Sequence, residues 1–419
     1  MLWTRSSPDP LELRIRHTHK NSASITVIPA RHERGHEVQT EQLTWNPGHG
    51  WQSTTNPCRD AQLVLYFGSS DALATESWYN ELRARFPQAH LVGCTSGGQI
   101  QHSGISETGI AAIAVRFAAT KLRIATEPVV EPSQSRAYGA ALGRQLCDEA
   151  LVGVFVLSDG LNVNGSELVQ GLLSALPSTV RVSGGLAGDG ARFAQTRVGA
   201  DALPQPLTIA AIGFYGSAVR FSCGSGGGWD TFGIPRRVTR SQGNELFELD
   251  HKPALDLYER YLGEEAAGLP GTGLIYPLKI WDPQRPSHDV VRTVLAINPE
   301  ARSMTFAGDI PQGSKAQLMR GEFTRLAGGA TEAASQAAAT QSQLKTQGGL
   351  ALLVSCIGRR LLMGQRIDDE IQAVREVLPA DLPQLGFYSY GEIAPHSVSG
   401  VCELHNQTMT VTLISEVIT

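Results

Sequence analysis

Short apolar runs that end in glycine-containing turns recur along this chain, and this pattern constrains its fold most. Residues 63–67 (Leu-Val-Leu-Tyr-Phe) end in the turn 68–70, and residues 152–157 end in the turn 158–160. Such short, wholly apolar runs are typical of buried strands that meet a loop. A helix is predicted to follow at 165–176, before a proline stop signal. The repeated order of strand, turn and helix predicts an α/β (mixed α+β) fold.

Chain length and composition indicate more than one domain. A chain of 419 residues exceeds one ordinary hydrophobic core. Its 42% hydrophobic and 18% charged residues supply enough apolar surface for globular folding. We therefore predict two domains, 57–242 and 243–419, each a mixed β-sheet with flanking helices. Residues 1–56 are rich in histidine and arginine without periodicity, so we predict a poorly ordered N-terminal extension there.

Charge, hydropathy and cysteine usage exclude several functional classes. The net charge of −5 gives no reason to expect a nucleic-acid partner. The chain has neither an apolar run of transmembrane length nor an N-terminal apolar signal segment, so membrane insertion is not expected. Six scattered cysteines without a CxxC pair indicate a reducing compartment. The expected location is the cytoplasm.

A zinc-type motif occurs in the N-terminal extension. His32-Glu33-Arg34-Gly35-His36 has the HExxH spacing that places two histidines on one helical face beside a general base. Pro29 lies upstream, Gly35 weakens a helix, and Arg34 would set a cation beside the metal. A solvated loop is therefore the favoured interpretation over a metal site.

Glycine clusters are the next candidates. The run 224–229 (Gly-Ser-Gly-Gly-Gly-Trp) lacks the Lys-Ser/Thr of a P-loop, and 185–190 does not match GxGxxG. Nucleotide binding is therefore disfavoured. Two interpretations stay open: plain turn geometry, or turns that converge so that backbone amides contact a small ligand.

Cys356 and Arg359 follow a predicted buried strand. A thiol close to guanidinium groups can have a lowered pKa, which would suit a nucleophile. Catalysis would also need a base, for which His396 or His405 could serve. Packing for Cys356 and anion or carboxylate pairing for Arg359 are the favoured roles, and we assign no catalytic residue.

The segment 386–392 (Gly-Phe-Tyr-Ser-Tyr-Gly-Glu) is the densest cluster of candidate binding residues. Tyr388 and Tyr390 are two positions apart and would share one face of a strand. With Glu392 at the strand end, they would suit a ligand amine, a ring system or a porphyrin edge. The alternative is a core strand with a capped end.

Several segments together resemble a known family. They occur in this order along the chain: 93–98 (GCTSGG), 183–189 (SGGLAGD), 253–258 (PALDLY), 355–359 (SCIGR), 386–392 and 404–406 (LHN). Over about residues 60–417 they resemble the N-terminal and C-terminal FIST domains.

The resemblance implies a sensory module of signal transduction that binds small ligands such as amino acids. A stand-alone bacterial subset binds haem and senses nitric oxide. It acts on histidine kinases or on cyclic-di-GMP enzymes, the diguanylate cyclases and phosphodiesterases. No kinase, F-box, GGDEF-like or methyl-accepting segment is visible here, so we expect signalling through a partner protein.

Two ligand classes stay open: haem b with nitric oxide, and an amino-acid-like metabolite. The haem axial candidates are His396 and His405, followed by His251 and His288, with Tyr388 or Tyr390 as phenolate alternatives. The rival class is an enzyme built on Cys356 with Arg359. The predicted ligand-binding residues are Cys94, Ser96, Gly97, Asp159, Gly185, Asp189, Arg359, Tyr388, Tyr390 and Glu392.

Overall fold

A computed structural model describes residues 38–101, 104–339, 341 and 346–417, which belong to one compact unit. The motif at 32–36 lies outside the described residues. The helices are α1 Ser70–Leu73, α2 Ser77–Arg85, α3 Ser135–Leu146, α4 Gly165–Ala175, α5 Ala254–Leu262, α6 Phe323–Ala339, α7 Ile357–Met363 and α8 Asp368–Arg375. Short 3₁₀ segments span Pro132–Gln134, Gly263–Gly268, Gly271–Ile275 and Gly364–Arg366.

Strands make up most of the regular structure. In the first half they are β1 Gln39–Asn46, β2 Gly50–Ser53, β3 Leu63–Gly68, β4 His90–Thr95, β5 Gln99–Gln101, β6 Gly104–Ser106, β7 Ile110–Arg116, β8 Lys121–Pro128, β9 Leu151–Ser158, β10 Arg181–Leu186, β11 Val198–Ala200, β12 Thr208–Tyr215 and β13 Val219–Gly226. They continue as β14 Trp229–Thr231, β15 Arg236–Gln242, β16 Glu245–Leu249, β17 Lys252–Pro253, β18 Leu278–Trp281, β19 Asp289–Arg292, β20 Val294–Asn298, β21 Ser303–Phe306, β22 Lys315–Gly321, β23 Thr346–Cys356, β24 Gln384–Ser389, β25 Gly391–Pro395, β26 Cys402–His405 and β27 Met409–Val417.

The described strands form four mixed or antiparallel sheets. Sheet 1 has the order β11-β4-β3-β7-β1-β2, and sheet 2 has the order β26-β25-β10-β9-β12-β8. Sheet 3 runs β13-β27-β23-β24-β5-β6. Sheet 4 runs β19-β18-β22-β15-β16-β21-β20, with β14 added to β22 and β17 added to β16. The predicted mixed α/β class is confirmed.

The predicted order of strand, turn and helix occurs at three places where the structure also shows the two strands to be parallel, a direction that the sequence pattern did not fix. The strand pairs are β3 with β4, β9 with β10, and β23 with β24. A parallel pair needs a crossover connection, which the helices between the paired strands supply. Strands β3 and β24 are buried along their whole length, which explains the apolar run of β3.

Sheets 2 and 3 combine strands from both halves of the chain. Strand β25 pairs with β10, so that Gly185 lies opposite Glu392. Strand β24 pairs with β5, and β27 pairs with β13. The predicted domains 57–242 and 243–419 therefore share sheets. Their limits as separate folding units stay a prediction.

Part of the predicted N-terminal extension is ordered. Residues 39–53 form β1 and β2, and β1 pairs with β7 in sheet 1. Leu43 and Trp45 are buried there in the same hydrophobic cluster as Trp78. Only alternate positions of β1 are buried, so its apolar signal is weaker than that of the central strands.

The glycine run 224–229 allows a helix to approach a strand closely. A Cβ at Gly224 would lie 2.1 Å from the carbonyl oxygen of Ala333, and one at Gly226 would lie 2.1 Å from that of Gly329. Both carbonyls belong to α6. The run therefore serves helix-to-strand packing, which none of the sequence interpretations included.

A matched pair of glycine substitutions tests this packing of the core. A Cβ at Gly386 in β24 would lie 2.1 Å from the carbonyl oxygen of Leu353, whereas exposed Gly328 in α6 has nothing within 4 Å. We expect Gly386→Ala to lower the free energy of unfolding by about 3 kcal/mol through overpacking. Gly328→Ala should raise it by up to about 1 kcal/mol because alanine favours a helix. Urea unfolding measures both, and equal effects would contradict the described packing.

Candidate functional site

Tyr388 lies in a buried polar cluster around an ion pair. Its hydroxyl donates to Glu370 Oε1 at 3.0 Å, and Ser355 Oγ donates to the same oxygen at 2.8 Å. Arg359 Nε donates to Glu370 Oε2 at 2.9 Å, and both charged side chains are fully buried. Arg359 also donates to the carbonyls of Leu326, Gly227 and Gln407. The anionic partner of Arg359 is therefore Glu370, a residue of the protein itself.

Tyr390 organises a different region, the loop that follows β10. Its hydroxyl is hydrogen-bonded to the Asp189 carboxylate, and its ring stacks on Phe193 with centroids 4.4 Å apart. Asp189 Oδ2 accepts from the backbone amides of Ala194 and Gln195 at 2.9 Å. Burial, followed by the neighbouring Asp189 carboxylate, raises the pKa of Tyr390. Tyr388 and Tyr390 thus bind separate carboxylates of the protein.

Glu392 is a fully buried acid with three hydrogen-bond contacts. Ser389 Oγ lies 2.6 Å from Oε1, while Thr408 donates to Oε2 from its amide at 3.1 Å and its hydroxyl at 3.0 Å. Burial raises the pKa of Glu392 to about 8, against the opposing effect of these hydrogen bonds. The protonated acid is therefore the main form at neutral pH.

The remaining predicted residues shape turns around this aromatic segment. Ser96 Oγ accepts from the amides of Gly98 at 2.9 Å and Tyr388 at 3.2 Å, and the Gly97 amide donates to the Tyr388 carbonyl at 2.9 Å. Asp159 Oδ1 accepts from the amides of Leu161 and Asn162 and closes its own loop. Cys94 is buried within β4. The predicted set thus brings Ser96, Gly97 and Tyr388 together, but its polar groups are satisfied within the protein.

Cys356 lies in an environment that disfavours a thiolate. Burial and then the nearby Glu392 raise the pKa of its thiol. An activated nucleophile needs a lowered pKa. The geometry therefore gives no support to the thiol-enzyme hypothesis.

Three of the four histidines proposed as haem ligands form a stack, which does not include His251. The rings of His288 and His396 lie 4.4 Å apart, and those of His396 and His405 lie 6.0 Å apart. His396 Nε2 is 2.9 Å from the Asp289 carbonyl, and its Nδ1 accepts from the Val398 amide at 3.2 Å. His405 Nε2 is 3.1 Å from the Ala394 carbonyl, and burial lowers its pKa to about 3.

These contacts decide how well the stack fits an iron or another metal. Ligand atoms of His288, His396 and Glu403 lie within 4.8 Å of one another. Both ring nitrogens of His396 are engaged with the backbone, however, and a metal ligand needs a nitrogen lone pair free. His396 in this arrangement does not fit an axial haem ligand, and no haem chemistry follows from it.

A large cleft borders this cluster through His288 and Glu403, and we call it the charged cleft. Its volume is about 890 Å³. Its walls come from α4, from the β18–β19 hairpin, from the segment 309–315 and from β26. Its ionisable side chains other than cysteine are Arg237, Asp282, Arg285, His288, Arg292, Asp309, Lys315 and Glu403.

Most of this cleft could not be predicted from the sequence. Its walls are far apart in the chain and meet through pairing that no local pattern reveals. One signal was nevertheless visible. Arg292 is the single charge in the stretch 290–297 (VVRTVLAI), and a buried charge among apolar residues needs a partner or a role.

Two protein-family models match the chain, and each match includes residues that line the charged cleft. The FIST N domain model matches residues 62–252, and the FIST C domain model matches residues 254–395. Residues 166–170 of α4 lie in the first match and the β18–β19 hairpin lies in the second. No curated protein matches the chain. Among the described residues, no helix is long and apolar enough to cross a bilayer.

The buried acid Glu392 predicts a distinctive pH dependence. Its folded pKa of about 8 exceeds the ordinary value of 4.5, so the folded state holds a proton that the unfolded state releases. This group's contribution to stability therefore falls as pH rises from about 4.5 to 8, and levels off above that window.

Glu392→Gln mimics the protonated acid, since its amide can donate to Ser389 Oγ, which itself donates to the Ser355 carbonyl. The stability of Glu392→Gln relative to wild type should rise by roughly 2–4 kcal/mol between pH 5 and pH 8. Urea unfolding of both proteins at both pH values measures this, and a constant difference would refute it.

The ion pair Arg359–Glu370 gives a second prediction. Glu370→Gln leaves a buried guanidinium without a counter-charge, which should lower the free energy of unfolding by about 3–5 kcal/mol. The exposed pair Arg366–Asp369, with a distance of 2.7 Å, is the control. Asp369→Asn should cost less than about 1 kcal/mol. Similar losses in both variants would mean that Glu370 is not the internal partner of Arg359.

Proposed function

Because the chain belongs to the FIST family of sensory domains, we propose that it is a signal-transduction sensor that binds a small ligand in the charged cleft. One observation carries this proposal: the walls of that cleft come from both family-matched regions. A ligand held by both walls would favour one arrangement of the two regions, which is what a sensor requires.

The lining of the charged cleft favours an amino-acid-like metabolite over haem. It carries both cations and carboxylates, which suit a ligand with a carboxylate and an ammonium group. Haem would need a free axial nitrogen. Both ring nitrogens of His396 are engaged with the backbone, Nε2 of His405 lies 3.1 Å from the Ala394 carbonyl, and Nε2 of His288 lies 3.1 Å from Glu403.

Signalling is proposed to pass to a separate protein. The family resemblance supports a histidine kinase or an enzyme that makes or degrades cyclic di-GMP as that partner. We also propose the cytoplasm as the site of action, since all six cysteines are unpaired, which suits a reducing compartment.

Blocking the charged cleft tests the proposal. Gln170 is an exposed residue of α4 that lines the cleft, so Gln170→Trp should fill it while keeping the helix. Exposed Gln372 of α8 lies outside the described cleft lining, and Gln372→Trp is the matched control. Calorimetric titration with the standard amino acids should show binding to wild type and to Gln372→Trp. Gln170→Trp should bind at least about tenfold more weakly.

Two results would contradict this proposal. Unchanged affinity in Gln170→Trp would place the ligand outside the charged cleft. A sharp Soret band that forms on haem addition and shifts with nitric oxide, equally in both variants, would favour the haem alternative.

A further inference from the structure

Arg292 is a buried cation in the wall of the charged cleft. It is 5% exposed and lies at the end of β19. Its Nε donates to the carbonyl of Asp309 at 3.1 Å. Its Nη1 lies 3.1 Å from the Val291 carbonyl and 3.0 Å from the Leu404 carbonyl. All of these acceptors are neutral backbone groups.

A buried guanidinium normally has a carboxylate partner, because an unpaired charge is costly to remove from water. Among the described residues, no carboxylate lies within ion-pair distance (4.0 Å) of Arg292. Burial lowers its pKa, while the more distant charges of Glu403 and Asp309 act in the opposite direction. Those two acids have other partners. Glu403 lies 3.1 Å from His288 Nε2, and Asp309 Oδ1 accepts from Asn164 Nδ2 at 2.8 Å.

The donors of Arg292 are only partly used. A guanidinium presents five N–H groups in a fixed planar fork. Its Nε and Nη1 donate to the carbonyls above, whereas Nη2 has no acceptor among the described residues. Since Arg292 lines the cleft, this end of the fork is the part left for a bound molecule.

Two further cations of the charged cleft also lack ion-pair partners in the described part of the chain, namely Arg237 and Lys315. Arg285, in contrast, pairs with Asp282 at 3.3 Å. The lining thus holds three cations that no carboxylate neutralises by direct contact. Over the whole lining, four Arg and Lys side chains face three carboxylates, and this small positive excess favours anions in the cleft.

We propose that Arg292 binds an anionic oxygen group of the ligand, a carboxylate or a phosphate, inside the charged cleft. This inference rests on the proposed ligand site and specifies its chemistry. The anion would supply the counter-charge that Arg292 lacks, through a charge-assisted hydrogen bond from Nη2. Arg292 would then be the residue that selects acidic ligands over their neutral analogues.

The same contacts connect Arg292 to the rest of the cleft. Its Nε bonds to the backbone of Asp309, whose side chain bonds to Asn164, the N-cap residue of α4. Its Nη1 bonds to the backbone of β26. Asn164 lies in the first family-matched region and Arg292 in the second, so an anion on Arg292 would be connected to both.

Matched acid and amide probes on the full chain test this inference. The probes are succinate with succinamide, L-glutamate with L-glutamine, and inorganic phosphate, each titrated calorimetrically at millimolar concentration. At least one acidic probe should bind to the wild-type protein. If that probe is succinate or L-glutamate, it should bind at least about tenfold more tightly than its amide, because a hydrogen bond to a charged group is stronger than one to a neutral group. Whether the carboxylates or phosphate bind more tightly indicates which of these groups Arg292 prefers.

Variants then assign the effect to Arg292. Arg292→Gln should weaken the acidic probe by about ten- to a hundredfold. Arg292→Lys keeps the charge but loses the fork, and should weaken it by about tenfold. If Arg292→Gln fails to fold, the affinity of Arg292→Lys for the acidic probe serves as the test.

Arg240→Gln is the control, since Arg240 is exposed, pairs with Glu248 at 3.0 Å and does not line the cleft. It should leave the affinity unchanged within about threefold.

The outcomes separate this inference from the proposed function. If Gln170→Trp abolishes binding while Arg292→Lys has wild-type affinity, the cleft is the site and the role of Arg292 is refuted. Equal binding of acid and amide, or no binding of any acidic probe to wild type, also refutes it. If the acidic probe binds through Arg292 but Gln170→Trp has no effect, the extent of the proposed site is wrong instead.

Discussion

The buried ion pair between Arg359 and Glu370 is the interaction on which the rest of the structure depends. It joins α7 to α8, and the other donors of Arg359 hold carbonyls of α6 and of two turns, at Gly227 and Gln407. Tyr388 donates to the same Glu370 and so fixes the end of β24. Strand β25 follows directly and pairs with β26, which forms one wall of the charged cleft. The geometry of the cleft thus rests on a charge pair in the core.

Two buried arginines of this protein show how a partner determines a role. Arg359 has a carboxylate at 2.9 Å, and its charge is balanced inside the protein. Arg292 has only backbone carbonyls within hydrogen-bond distance, and it lines a cleft. A buried charge with a full set of internal partners stabilises a unique packing, whereas one without a counter-charge is ready for a ligand. The residues that mark the family motif around Tyr388 therefore support the fold, and the candidate binding groups lie outside that motif.

The sequence predicted the parts of this arrangement that local patterns determine. Buried apolar runs such as 63–67 and 152–157 are strands, as predicted. Helices connect three pairs of strands, whereas the parallel direction of these pairs was not fixed by the sequence pattern. The family assignment from ordered short motifs is confirmed. Proximity across the chain was not predictable, because β25 pairs with β10 and β24 with β5 across more than two hundred residues of sequence. The predicted residues Tyr388, Tyr390 and Glu392 are buried polar groups. The sequence alone does not show that their hydrogen-bond partners lie within the protein. Arg292 differs, because its position as the single charge in 290–297 is visible in the sequence, whereas its lack of a carboxylate partner is not.

Hydrogen exchange of the full chain, with and without the tightest-binding acidic probe, tests most directly whether ligands bind in the charged cleft. The account predicts slower exchange in the walls at 278–292, 309–315 and 402–404, because the bound anion would stabilise hydrogen bonds around Arg292. The aromatic segment 386–392 should exchange at the same slow rate in both states, since it is already buried and hydrogen-bonded. Protection confined to 386–392 and 94–98, with no change in the cleft walls, would contradict it.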